Sequence, residues 1–347
     1  MSALNVNFAE CRYQAMLGVG GIGSGMLFNL KGNHTLGREE SRSGRLEDSK
    51  DYCKLHIISY YVKALLGRPF SVVPIGKVGN DEIGKKLVYE MKEMGLEMDY
   101  IASDPYRSTL FSFCFLYPDK SGGNMTTDDS ACSSVTKSFV NKAAGEFEKN
   151  KSKGIALAVP EVNLEVRKRL LKLGTKYAFF NVASFTSLEM PDVVNSDILK
   201  EVDLLSLNID EASSIVVTES ETKDTKKLFE ISLQKFRAIN PGIKVAVTNG
   251  KEGSWVWDGF NVSYFPALTV DVRNTAGAGD AFLSGIIAGV SGGLSLREAQ
   301  QLGTLVGGDS VTSNHTINTE MSRSSLNKLV KDSGLSFSDK IIKLLKD

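Results

Sequence analysis

The sequence predicts a doubly wound α/β domain, a mostly parallel sheet with helices on both faces. Three observations lead there. From about residue 135 onward, short apolar runs alternate with helical patterns, and such alternation is the mark of a parallel sheet covered on both sides. One of those runs, 204–207, ends directly on Asn208-Ile209-Asp210-Glu211, and doubly wound folds bind ligands beyond the ends of their strands. Near the C-terminal end, Asn274-Thr275-Ala276-Gly277-Ala278-Gly279-Asp280 leads into a helical pattern over 281–290. At 347 residues the chain has room for one large α/β domain or two smaller ones.

Bulk composition narrows the partners. A hydrophobic fraction of 42% and a charged fraction of 24% are ordinary for a globular protein. Lys+Arg and Asp+Glu both total 41, so the formal charge is zero and nucleic acid is not an expected partner. No apolar run is long enough to cross a bilayer, so no membrane partner is expected. Residues 1–10 are polar and mixed, without a signal-peptide pattern. Cys11, Cys53, Cys114 and Cys132 show no C-x-x-C spacing. They read as reduced thiols, and the expected location is the cytoplasm.

In chain order, a strand starting near Tyr13 enters the Gly-rich stretch 16–25. Gly18, Gly20 and Gly23 fit G-x-G-x-x-G, a rival reading as a dinucleotide-binding turn of an oxidoreductase. The long helix that should carry a pyrophosphate is missing, because 26–30 reads as a second strand stopped by Gly32 and Asn33. Residues 32–50 are charged and aperiodic and read as a solvated loop. Leu55, Ile58, Val62 and Leu65 give a helix over 51–66. After a strand at 71–75, Asp81 caps a helix whose buried stripe is Ile83, Leu87, Met91 and Met94. A strand at 110–117 precedes a turn over 118–123. Then follow strands at 155–159 and 177–182, helices at 164–173 and 192–200, a strand at 245–248, a hairpin over 254–265, a capping box at Ser295–Glu298 and a terminal helix over 338–345.

The stretch 274–280 carries the chemistry. Gly277, Ala278 and Gly279 let the backbone approach a ligand closely ahead of a helix N-terminus, whose free N–H groups and partial positive charge suit a phosphate. A carboxylate in such a cradle repels its ligand. Asp280 makes sense there if it takes a proton from an attacking hydroxyl. The same residues also fit an ordinary Gly-rich turn. Asn208 and Glu211 can hold Mg²⁺ through its hydration shell, and they also fit a helix N-cap.

The stretch 274–280 closely resembles the second signature of the PfkB/ribokinase family of carbohydrate and nucleoside kinases. Asn208-x-x-Glu211 resembles the family's Asn-x-x-Glu motif, and Thr248, Gly250 and Gly253 its Thr-x-Gly-x-x-Gly. The likeness covers roughly 16–317. It implies a ribokinase-like fold in one domain over 1–347. A small β lid would come from about 26–45 and 101–131, and a helical extension from about 323–347. It implies ATP with Mg²⁺ near Asn208 and Glu211, and a nucleotide site that includes Thr248, Gly250, Gly253, Thr275 and Asn314. Asn274 stands where many members have an Asp linked to a monovalent cation site, which counts against cation activation. Some members pair their lids across a dimer, which makes a homodimer an expectation.

The substrate side departs from the family pattern. Gly25 stands about where the family's substrate-binding Asp would be, and only Ser43-Gly44 matches its glycine pair. Arg45, Asp48, Asp51 and Lys54 are the candidate substitutes, with Gly44 of that pair and Asn181 at a strand end as further substrate candidates. The expected activity is transfer of the ATP γ-phosphoryl to a hydroxymethyl group of a small sugar or sugar derivative. Asp280 would act as base and Gly277, Ala278 and Gly279 as anion cradle. The alternatives are a nucleoside kinase and a non-catalytic nucleotide-binding relative.

Overall fold

The computed structural model describes residues 3–119, 122–216 and 224–346, with the side chains of 48–50 also outside the described set. Its strands are β1 (Ala15–Val19), β2 (Gly23–Leu30), β3 (Gly44–Tyr52), β4 (Ser71–Gly79), β5 (Ile101–Asp104), β6 (Leu110–Leu116), β7 (Gly122–Thr126), β8 (Gly154–Ala158), β9 (Phe180–Ala183), β10 (Leu204–Asn208), β11 (Lys244–Thr248), β12 (Ser254–Trp257) and β13 (Val262–Phe265). The helices are α1 (Lys54–Leu66), α2 (Glu82–Glu93), α3 (Lys137–Asn141), α4 (Ala144–Lys149), α5 (Leu164–Lys176), α6 (Met190–Asn195), α7 (Ile209–Ser213), α8 (Thr225–Ile239), α9 (Ala278–Ser291), α10 (Leu296–Ser310), α11 (Arg323–Asp332) and α12 (Asp339–Leu345).

Every residue of β1 and β8 is buried, as the central strands of a sheet covered on both faces must be. They sit side by side in a nine-stranded sheet of order β13-β12-β11-β10-β9-β8-β1-β4-β5. Strands β11 to β13 pair antiparallel and the others parallel. One face is covered by a core that includes Ile58 and Val62 of α1, Ile286 of α9 and Leu302 of α10. The other is covered by Phe147, Leu170, Phe229 and Phe236 from α4, α5 and α8. Each such side chain contributes about 1.5–3 kcal/mol on burial. This is the doubly wound architecture that the strand–helix alternation predicts.

A second sheet, of order β3-β2-β6-β7, is mixed: β2 pairs parallel with β6 and antiparallel with β3. It alters three sequence expectations. Strand β3 occupies 44–52, where the charge pattern suggests a loop. Its charged residues obscure the alternation, because much of this sheet is wet. Asp51 therefore ends a strand, and helix α1 begins only at Lys54. Residues 101–104, expected in the small sheet, instead pair with β4 at the edge of the large one. Residues 120–121 of the turn expected over 118–123 lie outside the described residues. Among the described residues no helix is long and apolar enough to cross a membrane.

Candidate active site

The strand order reverses between β1 and β8, since the chain leaves β1 toward β4 on one side and reaches β8 on the other. A crevice opens beyond the strand ends at such a switch point. Gly20 and Gly21 follow β1 there. A Cβ on Gly20 would strike Val159 Cγ2, and one on Gly21 would overlap the Glu161 carboxylate. Gly21 donates its N–H to Pro160 O at 2.9 Å, and its own carbonyl accepts from Leu55 N at 3.2 Å. The Gly-rich stretch thus lets β8, Glu161 and the start of α1 close on one point. Strand β2 follows it directly, with no helix to carry a pyrophosphate.

Helix α9 starts at Ala278, three residues before the predicted start, so the small residues and Asp280 form its first turn. The N-cap is Gly277 at φ 78°, a left-handed conformation that glycine adopts without a Cβ penalty. The turn is braced from behind. Asn274 is buried, its Oδ1 accepts from Ala276 N at 2.9 Å and its Nδ2 donates to Asn314 O at 3.1 Å. Among the described residues the N–H groups of Gly277 and Gly279 meet no acceptor, and the space where Gly279 lacks a Cβ is open. Ala278 differs from the expectation of three cradle donors, because its N–H donates to Thr275 O at 3.2 Å. Thr275 is exposed beside the turn and Asn314 is exposed beyond α10.

Asp280 is 7% exposed. Its Oδ1 lies 3.2 Å from Lys54 Nζ. The charges of Asp280, then Glu211 and Glu161, hold Lys54 above the usual lysine range against the effect of burial. Burial pushes Glu161 up to about 7, with Lys54 opposing the shift. Its Oε2 is buried and has no hydrogen-bond partner among the described residues. Sequence reasoning missed Glu161. It belongs to no motif, and only its place after strand β8, beside Pro160, could have drawn attention to it.

Asp51 is also 7% exposed and faces the site from β3. It pairs across the ladder with Gly25, which pairs in turn with Ser112 of β6. A Cβ on Gly25 would come 2.5 Å from Asp51 Oδ2. The missing side chain at 25 is thus the room that the Asp51 carboxylate uses. Cys114 Sγ donates to the same oxygen at 3.5 Å, and burial pushes Asp51 above the usual carboxylate range, with the charge of Asp280 adding to the shift.

Asn208 and Glu211 form a full capping box. Glu211 N donates to Asn208 Oδ1, and Asn208 N to Glu211 Oε2, both at 2.8 Å. Glu211 keeps Oε1 for another partner, and burial pushes its carboxyl up, with Lys54 opposing. Among the described residues no three His, Cys, Asp or Glu side chains are grouped to ligate a metal directly. An amide and a carboxylate at this spacing fit Mg²⁺ that retains its water shell. Thr248 lies beside Asn208 across β10 and β11. Gly250, at φ 51°, has open space where a Cβ would stand. Gly253 answers a different need, because at φ 95° it lets Phe265 O and Pro266 pack against the backbone.

Three substrate candidates fall elsewhere. Arg45 has 84% of its side chain exposed and faces Glu47, at the far end of β3 from Asp51. Gly44 pairs with Leu30 at that same end, where Phe28 fills the space of its absent Cβ. Asn181 is buried in β9 and spends its Nδ2 on Leu171 O, Thr175 Oγ1 and Glu201 O, tying strand to helix near the opposite ends of the strands. The Asp48 side chain lies outside the described residues. A cavity of about 540 Å³ lined by Arg12, Tyr13, Phe180, Asp203 and Lys244 also lies at those opposite strand ends.

With this geometry in view, the sequence matches the family described as pfkB family carbohydrate kinase over residues 61–323. The chain belongs to the pfkB family of carbohydrate kinases. The matched stretch contains Asn208, Glu211, Thr248 and Asp280 but begins after Asp51 and Lys54. Bifunctional protein HldE of Sulfurimonas denitrificans is 23% identical over 234 residues, spanning 67% of this chain and 47% of that protein. The chain thus covers about half the length of that pfkB relative. A ribokinase of Cryptococcus neoformans, solved with ADP, superposes with a TM-score of 0.72 at 17% identity, over 92% of this chain and 99% of its own. A nucleoside kinase of Burkholderia thailandensis, solved with inosine, gives a TM-score of 0.70 at 14% identity, over 92% and 98%. At these identities the pfkB chain shares their ribokinase-like fold.

Proposed function

We propose that this pfkB-family chain transfers the γ-phosphoryl of ATP to a hydroxymethyl group of a small sugar or sugar derivative. The observation that carries the reading is Asp280. It is a buried carboxylate in the first turn of α9, beside backbone N–H groups that meet no acceptor among the described residues. Asp280 takes the proton of the acceptor hydroxyl as that oxygen attacks the γ-phosphorus. The bond from phosphorus to the bridging oxygen breaks and ADP leaves. The N–H groups of Gly277 and Gly279 donate to the oxygens of the moving phosphoryl and stabilise their charge, a preorganised stabilisation of the kind that dominates such transfers. Asn208 and Glu211 would hold Mg²⁺ through water, and the ion supplies neutralisation of phosphate charge when bound. Thr248, Gly250, Thr275 and Asn314 edge the nucleotide side.

Asp51 takes the acceptor role that Gly25 cannot, receiving a sugar hydroxyl from β3. Glu161, facing Lys54 and Asp280, is a second hydroxyl acceptor. The sheet β3-β2-β6-β7 is read as a lid over this acceptor, and pairing of two lids would make a homodimer. The shared fold of a nucleoside kinase keeps nucleosides as the second substrate class.

The test is ADP release from Mg·ATP across free sugars, sugar phosphates and nucleosides. Transfer to one class names the acceptor. ATP binding with no transfer to any member would favour a non-catalytic nucleotide-binding relative and sink this reading.

A further inference from the structure

A lysine in the first turn of a helix stands against the helix dipole, whose N-terminal end is already positive. Lys54 does so at the start of α1, with no acidic residue in that turn and no side-chain cap from Cys53. Helix α1 itself gains nothing from this cation. The active site accounts for it. α1 packs against α9, and Lys54 Nζ reaches Asp280 Oδ1 at 3.2 Å. The pair is sheltered, with side-chain exposures of 28% and 10%. The charges of Glu211, on α7, and Glu161, after β8, also act on the ammonium, and the charge of Asp280 acts on Asp51 of β3. The nearby guanidinium of Arg167, on α5, is bonded to Glu189.

We infer that Lys54 is the positioning residue of the base: its ammonium fixes the Asp280 carboxylate toward the acceptor hydroxyl and offsets the acidic groups around it. The inference rests on Asp280 being the base. Without the ammonium, Asp280 would be left near Glu211, Glu161 and Asp51 with no cationic side chain in contact among the described residues. Its side chain could turn away, and proton removal from the acceptor would need a higher pH.

The experiment compares wild type, K54M and K54R on the acceptor that the wild type phosphorylates. K54M is expected to lower kcat about 10²-fold, as a misplaced catalytic group does, with the nucleotide KM unchanged. The acid limb of its kcat/KM profile moves up by about one pH unit. K54R keeps a cation and keeps the limb near that of wild type. K54Q gives the same reading should K54M not fold. An unmoved acid limb, or a loss confined to KM, overturns the inference. A double-mutant cycle of K54M and D280N in urea unfolding supplies a readout independent of activity. The two midpoint shifts are expected to be non-additive, and additivity would overturn the pairing itself. A wild type that phosphorylates nothing removes the kinase reading and this role together, whereas an active wild type with an unmoved K54M limb removes the role of Lys54 alone.

Discussion

Glu161 and Asp51 carry the most specific predictions at the residue scale. The folded chain holds Glu161 up to about 7 from an ordinary 4.5. Between those values the folded state binds a proton that the unfolded state has released, so this group makes stability fall as pH rises from about 4.5 through about 7. Urea midpoints of wild type should decline across that window and those of E161Q should decline less. Parallel curves would count against the buried carboxylate. For Asp51, loss of a hydrogen bond to a charged group is worth about 1.5–3 kcal/mol. D51N should therefore raise the acceptor KM about 10- to 10²-fold while the nucleotide KM stays put, and an unchanged acceptor KM would remove Asp51 from the site. Asp280, Asn208 and Glu211 were legible in the sequence as candidates because each lies in a contiguous motif. Lys54 was named only among substitutes for substrate contact, and Glu161 was not named. The roles proposed for them rest on contacts between α1, α9 and the end of β8, which no local pattern records.

At the scale of elements, α9 and α10 cross on glycine. A Cβ on Gly285 would come 2.7 Å from Gly303 Cα, and one on Gly303 would come 2.7 Å from Phe282 O. Because backbone atoms cannot yield as a flexible side chain can, G285A should cost about 1–3 kcal/mol. A lower urea midpoint at unchanged slope would show it, and an unchanged midpoint would contradict the close crossing. Strands β8 and β10 and the 254–265 hairpin were legible because they are short apolar runs set off by polar or turn residues. β3 was hidden, since its sequence Gly-Arg-Leu-Glu-Asp-Ser-Lys-Asp-Tyr belongs to a sheet partly exposed to water, where charge masks a period of two. The G-x-G-x-x-G of 18–23 misleads for a related reason. Its glycines serve close packing against Leu55, Val159 and Leu110, a need that the spacing alone does not distinguish from nucleotide binding.

For the molecule as a whole, the N-termini of α1 and α9, a sheet switch point and a second sheet meet at one place. A ligand that binds the folded chain alone stabilises it by mass action, about 2.7 kcal/mol at a hundred times its Kd. Mg·ATP should therefore raise the melting temperature, and NAD should not; a shift with NAD would revive the dinucleotide reading. The alternation of strand and helix made the fold class plain from sequence, because it follows from chain-long periodicity. The proposed acceptor side was not plain, because it draws on β2, β3, β6 and the end of β8. The central claim is that Asp280 is the base of a phosphoryl transfer. It is tested most directly by single-turnover transfer from Mg·ATP in wild type and D280N, with ATP affinity measured beside it. The predicted result is a turnover lower by about 10²–10⁴ in D280N with ATP still bound, and equal turnover in the two proteins would contradict it.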